Sequence, residues 1–248
     1  MPEVRKVPVS RGRKVVVYGG PGLGKSTFAA SAPRPIFIQT EDGLTNIVVD
    51  HYEAVSSYDD FLLNLGHLAK NHEAHDTVVV DSGDWLEMLI HDKLCSAEPK
   101  CADITSYAGG WGKGYKATAA MFEGVLRKMQ FFLNKNKDVV FLCHDRVITM
   151  EDPQHGNYGQ TTLRCHELVR DKLIEWADEV LFMCPKISVD EEKERASGGM
   201  VRVLKTAYSP QYRAKSRAKM PAEIIVPAPP AVGWEAYSKF LTKEKTNG

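Results

Sequence analysis

Short apolar runs recur along the chain, separated by stretches with helical spacing. Val15, Val16, Val17 and Tyr18 form the first run and give way directly to glycines, the pattern of a buried strand entering a loop. Ile36, Phe37 and Ile38 form the second, Thr77 with Val78, Val79 and Val80 the third, and residues 139–143 the fourth. Residues 180–183, 201–205 and 224–226 complete the strand candidates. Between these runs, a helix starts at Lys25 and closes before Pro33 and Pro35. Ser57 precedes another, whose Phe61, Leu62, Leu65 and Leu68 share one face. Residues 85–94 and 116–134 read as two further helices, the second carrying Ala120, Met121, Val125, Met129, Phe132 and Leu133 near helical spacing. A Gly-rich loop separates them, and a polar stretch followed by a helix ending near Trp176 comes after the fourth strand.

Strands alternating with helices in this way predict an α/β fold, a mostly parallel sheet with helices on both faces. No internal repeat interrupts the pattern. Residues 190–199 are charged and then Gly-rich, and residues 227–230 are Pro-rich, so each reads as a loop or connection. Residues 243–248 read as a frayed tail.

Length and composition narrow the class. A chain of 248 residues accommodates one sizeable α/β core with elaborations, and 43% hydrophobic with 26% charged residues excludes a mainly disordered polymer. The 32 basic and 32 acidic side chains cancel, so any nucleic-acid site has to be a local patch. Five cysteines, an odd number without a C-x-x-C pair, argue against a disulfide framework and for a reducing cytosol. His91, Cys95 and Cys101 have the spacing of no common zinc site. Arg5, Lys6, Arg11, Arg13 and Lys14 make the start of the chain basic, but the apolar run after them is too short for a signal peptide or membrane span. The expectation is a cytoplasmic protein without a membrane partner.

The first apolar run leads into Gly19, Gly20, Pro21, Gly22, Leu23, Gly24, Lys25 and Ser26, which fit G-x-x-x-x-G-K-[ST] between a strand and a helix. In that context the glycines let backbone N–H groups curl around the β- and γ-phosphates of ATP, and the helix N-terminus that includes Thr27 adds favourable partial charge. Lys25 is then the cation that bridges phosphate oxygens, and Ser26 a ligand of Mg²⁺. Asp81 closes the third strand, where a carboxylate reaches Mg²⁺ through water.

Beyond this minimal motif, residues 78–82, with Ser82 directly after Asp81, resemble the Walker B strand of the RecA-like recombinase and hexameric-helicase branch of P-loop ATPases. Residues 36–41 resemble its neighbouring strand, which carries the catalytic glutamate at its carboxyl end, and residues 139–144 resemble its sensor strand. The resemblance runs over residues 14–221 and implies a RecA-like P-loop NTPase core. It makes Glu41 the general base, with Asp42 as the alternative, and His144 the γ-phosphate sensor, with an ordinary loop histidine as the alternative. Lys215 and Arg217 resemble the Lys-x-Arg finger by which such ATPases reach a neighbour's ATP, or else form a solvated basic loop. Residues 1–226 would be the RecA-like ATPase domain and residues 227–248 a Pro-rich connection, short C-terminal helix and tail.

Among relatives of this kind the chain most resembles short phage-encoded ATPases that act in single-strand annealing or recombination, an impression strengthened by the stretch at 109–115. That implies single-stranded DNA as partner, self-assembly as ring or filament, a single-strand-binding protein as a further partner, and the host cytoplasm. The DNA-facing loops would be 95–115 and 145–164. In the first, Tyr107, Trp111 and Tyr115 interleave with Lys113 and Lys116, supplying stacking faces and cations; the alternative is a Gly-rich lid or subunit contact in which the aromatics pack. In the second, Glu151 and Asp152 offset Arg146 and Arg164. The competing functions are a regulatory ATPase of the clock-protein type, a helicase-like motor, and a small-molecule kinase, which needs an Arg-rich lid that residues 145–164 do not supply.

Overall fold

The computed structural model describes residues 11–154, 156–190, 195–227 and 233–241. In chain order its elements are β1 (Lys14–Tyr18), α1 (Lys25–Ala30), β2 (Pro35–Gln39), β3 (Asp50–Tyr52), α2 (Tyr58–Lys70), β4 (Thr77–Asp81), α3 (Gly83–Ser96) and α4 (Lys113–Asn134). There follow β5 (Asp138–Cys143), β6 (Asp145–Met150), β7 (Tyr158–Leu163), α5 (Glu167–Trp176), β8 (Glu179–Asp190), β9 (Arg195–Lys205), β10 (Lys215–Ser216), β11 (Glu223–Val226) and α6 (Gly233–Ser238). The main sheet runs β11-β9-β8-β1-β5-β4-β2-β3, with β10 paired to β8. From β8 to β3 every pairing is parallel, while β9, β10 and β11 pair antiparallel at one edge.

The alternation of a strand explains how each aliphatic run serves two cores. Val16, Tyr18, Ile38, Val78, Val80, Val139 and Phe141 point to the face covered by α2, α3, α4 and α5. Val15, Val17, Phe37, Val79, Val140 and Leu142 point to the other, covered by α1 and α6. On that second face Phe28 of α1 packs against Trp234 and Tyr237 of α6, with ring centroids 5.3 and 6.1 Å apart. Buried on both sides, the central strands tolerate no polar alternation, which is why they read as unbroken apolar runs.

Three expectations need correction. The polar stretch 145–164 is not a loop: β6 and β7 form an antiparallel hairpin separate from the main sheet. It escaped the reading because it has no continuous apolar run; Val147 lies exposed while the polar Gln160 and Thr162 are buried. Residues 190 and 195–199, read as loop, continue β8 and β9, with Asp190 opposite Arg195. The long helix starts at Lys113 instead of 116, so Lys113, Tyr115 and Lys116 stand on its first turn, behind the short loop that ends at Gly112. The Pro-rich residues 228–230, the tail 243–248, and Arg5 and Lys6 lie outside the described residues. Among the described residues no helix is long and apolar enough to cross a membrane.

Phe122 of α4 is fully buried against Phe141, and Leu63 of α2 is 71% exposed. Phe122→Ala should therefore lower the unfolding free energy by about 3–5 kcal/mol in a denaturant titration, whereas Leu63→Ala should stay within about 0.5 kcal/mol of wild type. Equal losses at the two positions would contradict this layering.

Candidate nucleotide site

The chain leaves β1 at Gly19, whose N–H donates to Cys143 O at the end of β5. The turn that follows needs glycine at specific points. Gly22 and Gly24 have φ of 73° and 83°, and a Cβ on Gly24 would collide with the Arg202 guanidinium. Arg202 of β9 clamps the turn from outside, donating through Nη1 to Leu23 O (3.2 Å) and through Nη2 to Pro227 O (3.1 Å). At the start of α1, Lys25 is buried and its Nζ donates to Gly19 O and Gly20 O at 2.9 and 3.0 Å. Burial lowers the Lys25 pKa, a pressure partly offset by Asp81 and Asp84.

Next to it, Ser26 Oγ donates to Asp81 Oδ2 at 2.7 Å. Asp81 ends β4 in a buried position, and desolvation pushes its pKa up against the hydrogen bond from Ser26 and the charge of Lys25. A hydroxyl and a carboxylate oxygen on one wall are the hard donors that Mg²⁺ prefers, so the residues present fit that ion. From the neighbouring strand end, Thr40 Oγ1 donates to Ser82 O and accepts from Ser82 N, both at 2.7 Å, and Thr40 N donates to Asp81 O. These bonds dock the end of β2 on the end of β4 and bring Glu41 round to face the same space. Burial raises the Glu41 pKa, with Ser82 and His144 pulling the other way.

His144 follows β5 directly. Its main-chain N–H donates to Asp84 Oδ1 (3.0 Å), its ring Nδ1 lies 3.0 Å from Asp84 Oδ2, and Glu41 Oε1 is 3.9 Å from the same nitrogen. The hydrogen bond with Asp84 raises the His144 pKa. Asp84, in the first turn of α3, is buried, yet the contacts from His144 and from Arg164 Nε at 3.2 Å outweigh desolvation and hold its carboxyl below the usual range. Lys25, Ser26, Glu41, Asp81 and His144 all line one cavity of ≈ 310 Å³, together with the glycine turn.

This geometry is what a P-loop enzyme requires, and the family comparison agrees: a model for AAA domains matches residues 11–218. The chain belongs to that AAA domain family of P-loop ATPases. No curated protein matches it. The AAA domain thus has its turn, cation, hydroxyl and carboxylate in one place, as the sequence motif and Asp81 indicated. Two of its residues, Asp84 and Arg202, are not marked in the sequence: Asp84 is an acid at a helix start like many others, and its burial shows only in the fold.

Other candidates of the AAA domain lie elsewhere. Asp42 is exposed and does not line the cavity, in contrast to Glu41. Lys215 opens β10 and Arg217 follows it, and this strand pairs with Glu179 and Val180 at the beginning of β8, the end of the sheet opposite the glycine turn. There Arg217 Nη1 meets Asp178 Oδ1 at 3.2 Å, beside Arg11 Nη2 at 2.8 Å. Neither basic residue reaches the cavity of its own chain. Of the aromatic loop, Trp111 is 94% exposed at φ 57°, and Lys113 and Lys116 are exposed, with Lys113 Nζ donating to Ala108 O. Tyr107 is half-buried, and Tyr115 stacks flat on His166 with centroids 3.9 Å apart. Tyr115 packs as the lid alternative anticipated, because its helical position turns it towards α5.

The raised His144 pKa carries a pH signature. A histidine whose folded pKa exceeds its unfolded value adds stability below the unfolded pKa and loses it as pH rises through the folded one. His144→Gln should therefore destabilise the protein more at pH 5.5, below the unfolded histidine pKa of about 6.5, than at pH 9, after the stabilisation has been lost with rising pH. Thermal unfolding across a pH series measures it, and a loss that grows towards alkaline pH would contradict the Asp84 contact.

Proposed function

We propose that this AAA domain is a Mg²⁺-dependent ATPase with a RecA-like core that acts on single-stranded DNA in phage-type recombination or strand annealing. The observation that carries the ATPase reading is the convergence of Lys25, Ser26, Glu41, Asp81 and His144 on one cavity. In this reading the glycine turn and Lys25 bind the β- and γ-phosphates, and Ser26 with Asp81 holds the metal. Mg²⁺, when bound, neutralises charge on the phosphate oxygens. Glu41 orients the attacking water and accepts its proton, a role that its burial suits, since a carboxylate of raised pKa is a stronger base. His144 donates to the γ-phosphate and thereby reports its presence.

The DNA half rests on Trp111. A fully solvated indole, flanked by exposed Lys113 and Lys116, combines a stacking face with cations for a backbone. Its loop joins α3 to α4, and α3 begins two residues after Asp81, so α3 connects the nucleotide site to the loop. Lys215 and Arg217, remote from their own cavity, suit a neighbour's site in a ring or filament.

Glu41→Gln should keep ATP affinity within about twofold while turnover falls at least about a hundredfold, because the amide preserves shape and cannot take the water's proton. Normal hydrolysis by this variant together with inactivity of Asp42→Asn would move the base to Asp42. For DNA, gel shifts with single strands should show tighter binding with a non-hydrolysable ATP analogue than without it. Trp111→Ala should weaken that binding roughly tenfold if the ring stacks on a base, and Lys113→Ala should flatten the slope of log affinity against log salt by about 0.7. A wild type that binds no single strand in any nucleotide state would favour a regulatory or helicase-like oligomeric ATPase.

A further inference from the structure

His144 is claimed by two carboxylates. Asp84 Oδ2 lies 3.0 Å from its Nδ1, and Glu41 Oε1 lies 3.9 Å from the same atom. One ring N–H cannot serve both at full strength, and the distances show Asp84 holding it. The hold is made at several points: Asp84 Oδ1 takes the His144 main-chain N–H, Arg164 Nε approaches Asp84 Oδ2 at 3.2 Å, and Arg164 N donates to His144 O at 2.9 Å. Asp84 itself is buried at the start of α3, where it cannot swing to solvent. Glu41, which lines the same cavity as the P-loop, is the less buried partner, its side chain 24% exposed against 3% for Asp84.

We propose that Asp84 is a positioning residue that keeps the His144 ring off Glu41 and so leaves the general base free for water; this rests on the reading of Glu41 as that base. A carboxylate paired with an imidazole N–H is a weaker proton acceptor, since the hydrogen bond stabilises its charged form. With its Nδ1–H given to Asp84, the ring directs Nε2 away from both acids and keeps a fixed orientation at the cavity wall. Removal of the Asp84 charge leaves Glu41 as the acid within reach. His144 then quenches the base it normally stands beside, and the damage from losing Asp84 passes through His144.

The test is a double-mutant cycle on ATP hydrolysis with wild type, Asp84→Asn, His144→Ala, the double variant and Glu41→Gln, with thermal unfolding and nucleotide affinity measured on each. Asp84→Asn should lower kcat by roughly tenfold or more with KM changed less than about twofold, and the double variant should hydrolyse ATP no more slowly than His144→Ala alone. The same fold-loss from Asp84→Asn in both backgrounds, or no loss in either, would overturn the proposal. Nitrogen NMR of the His144 ring gives a second readout that does not depend on Asp84→Asn folding: Nδ1 should carry the proton in wild type and keep it in Glu41→Gln. Loss of the Nδ1 proton in Glu41→Gln would assign the ring to Glu41 and overturn the proposal. If Glu41→Gln hydrolyses normally, the base assignment falls and this proposal with it, whereas an inactive Glu41→Gln beside an additive cycle removes the role of Asp84 alone.

Discussion

Four parallel strands end at one level, and the site exists because of that register. Tyr18 of β1 pairs with Cys143 of β5, Asp81 of β4 with Leu142, and Gln39 of β2 with Asp81. The residues that follow these ends, Gly19, Ser82, His144 and the pair Thr40 and Glu41, are therefore delivered to one edge by the sheet, and the Thr40 bonds to Ser82 add the last adjustment. A slip of one residue in β2 or β5 would turn the strand's side chains to the opposite face and take Glu41 or His144 out of reach. Such a slip is resisted by both cores at once, since every other residue of each strand is buried on one side and the remainder on the other. The hydrophobic interior thus sets the geometry of a polar site.

The same arrangement concentrates opposed charges where water is scarce. Lys25 is destabilised as a cation by burial, Asp81 and Glu41 as anions, and only Asp84 has enough partners to fall below its usual range. A site in this condition is poised to take up ligands that complete its pairing: phosphate oxygens for Lys25, a metal ion for Asp81. Neighbouring acids deeper in the domain share the strain. Glu87, one turn along α3 from Asp84, is pushed up to about 7 by burial while it accepts the His166 N–H at 2.9 Å, and His166 in turn stacks on Tyr115 below the Trp111 loop.

How much of this the sequence revealed follows from where each element is buried. Strands covered on both faces leave unbroken aliphatic runs, so β1, β2, β4 and β5 were legible, and Asp81 with them. The glycine turn was legible because Gly22 and Gly24 occupy positive-φ conformations that glycine adopts most readily. The β6–β7 hairpin was not, since it stands apart from the main sheet and exposes Val147 while burying Gln160. Asp84 looked like any acid at a helix start, and its burial comes from the strand end beside it, which no local pattern announces. Lys215 and Arg217 carried the right residue types, but only the pairing of β10 with the beginning of β8 tells which end of the sheet they occupy. Tyr115 belonged to an aromatic, basic stretch on paper, and the helix register turned it inward.

The decisive measurement is a structure of the protein with Mg²⁺ and a non-hydrolysable ATP analogue. The triphosphate should be wrapped by the turn from Gly19 to Thr27, with Lys25 Nζ on β- and γ-phosphate oxygens and the metal on Ser26 with Asp81 beside it. A water should lie between Glu41 and the γ-phosphorus, and His144 should remain bonded to Asp84. A γ-phosphate placed away from Glu41 and His144, or an attacking water held by Asp42 with Glu41 turned outward, would contradict it.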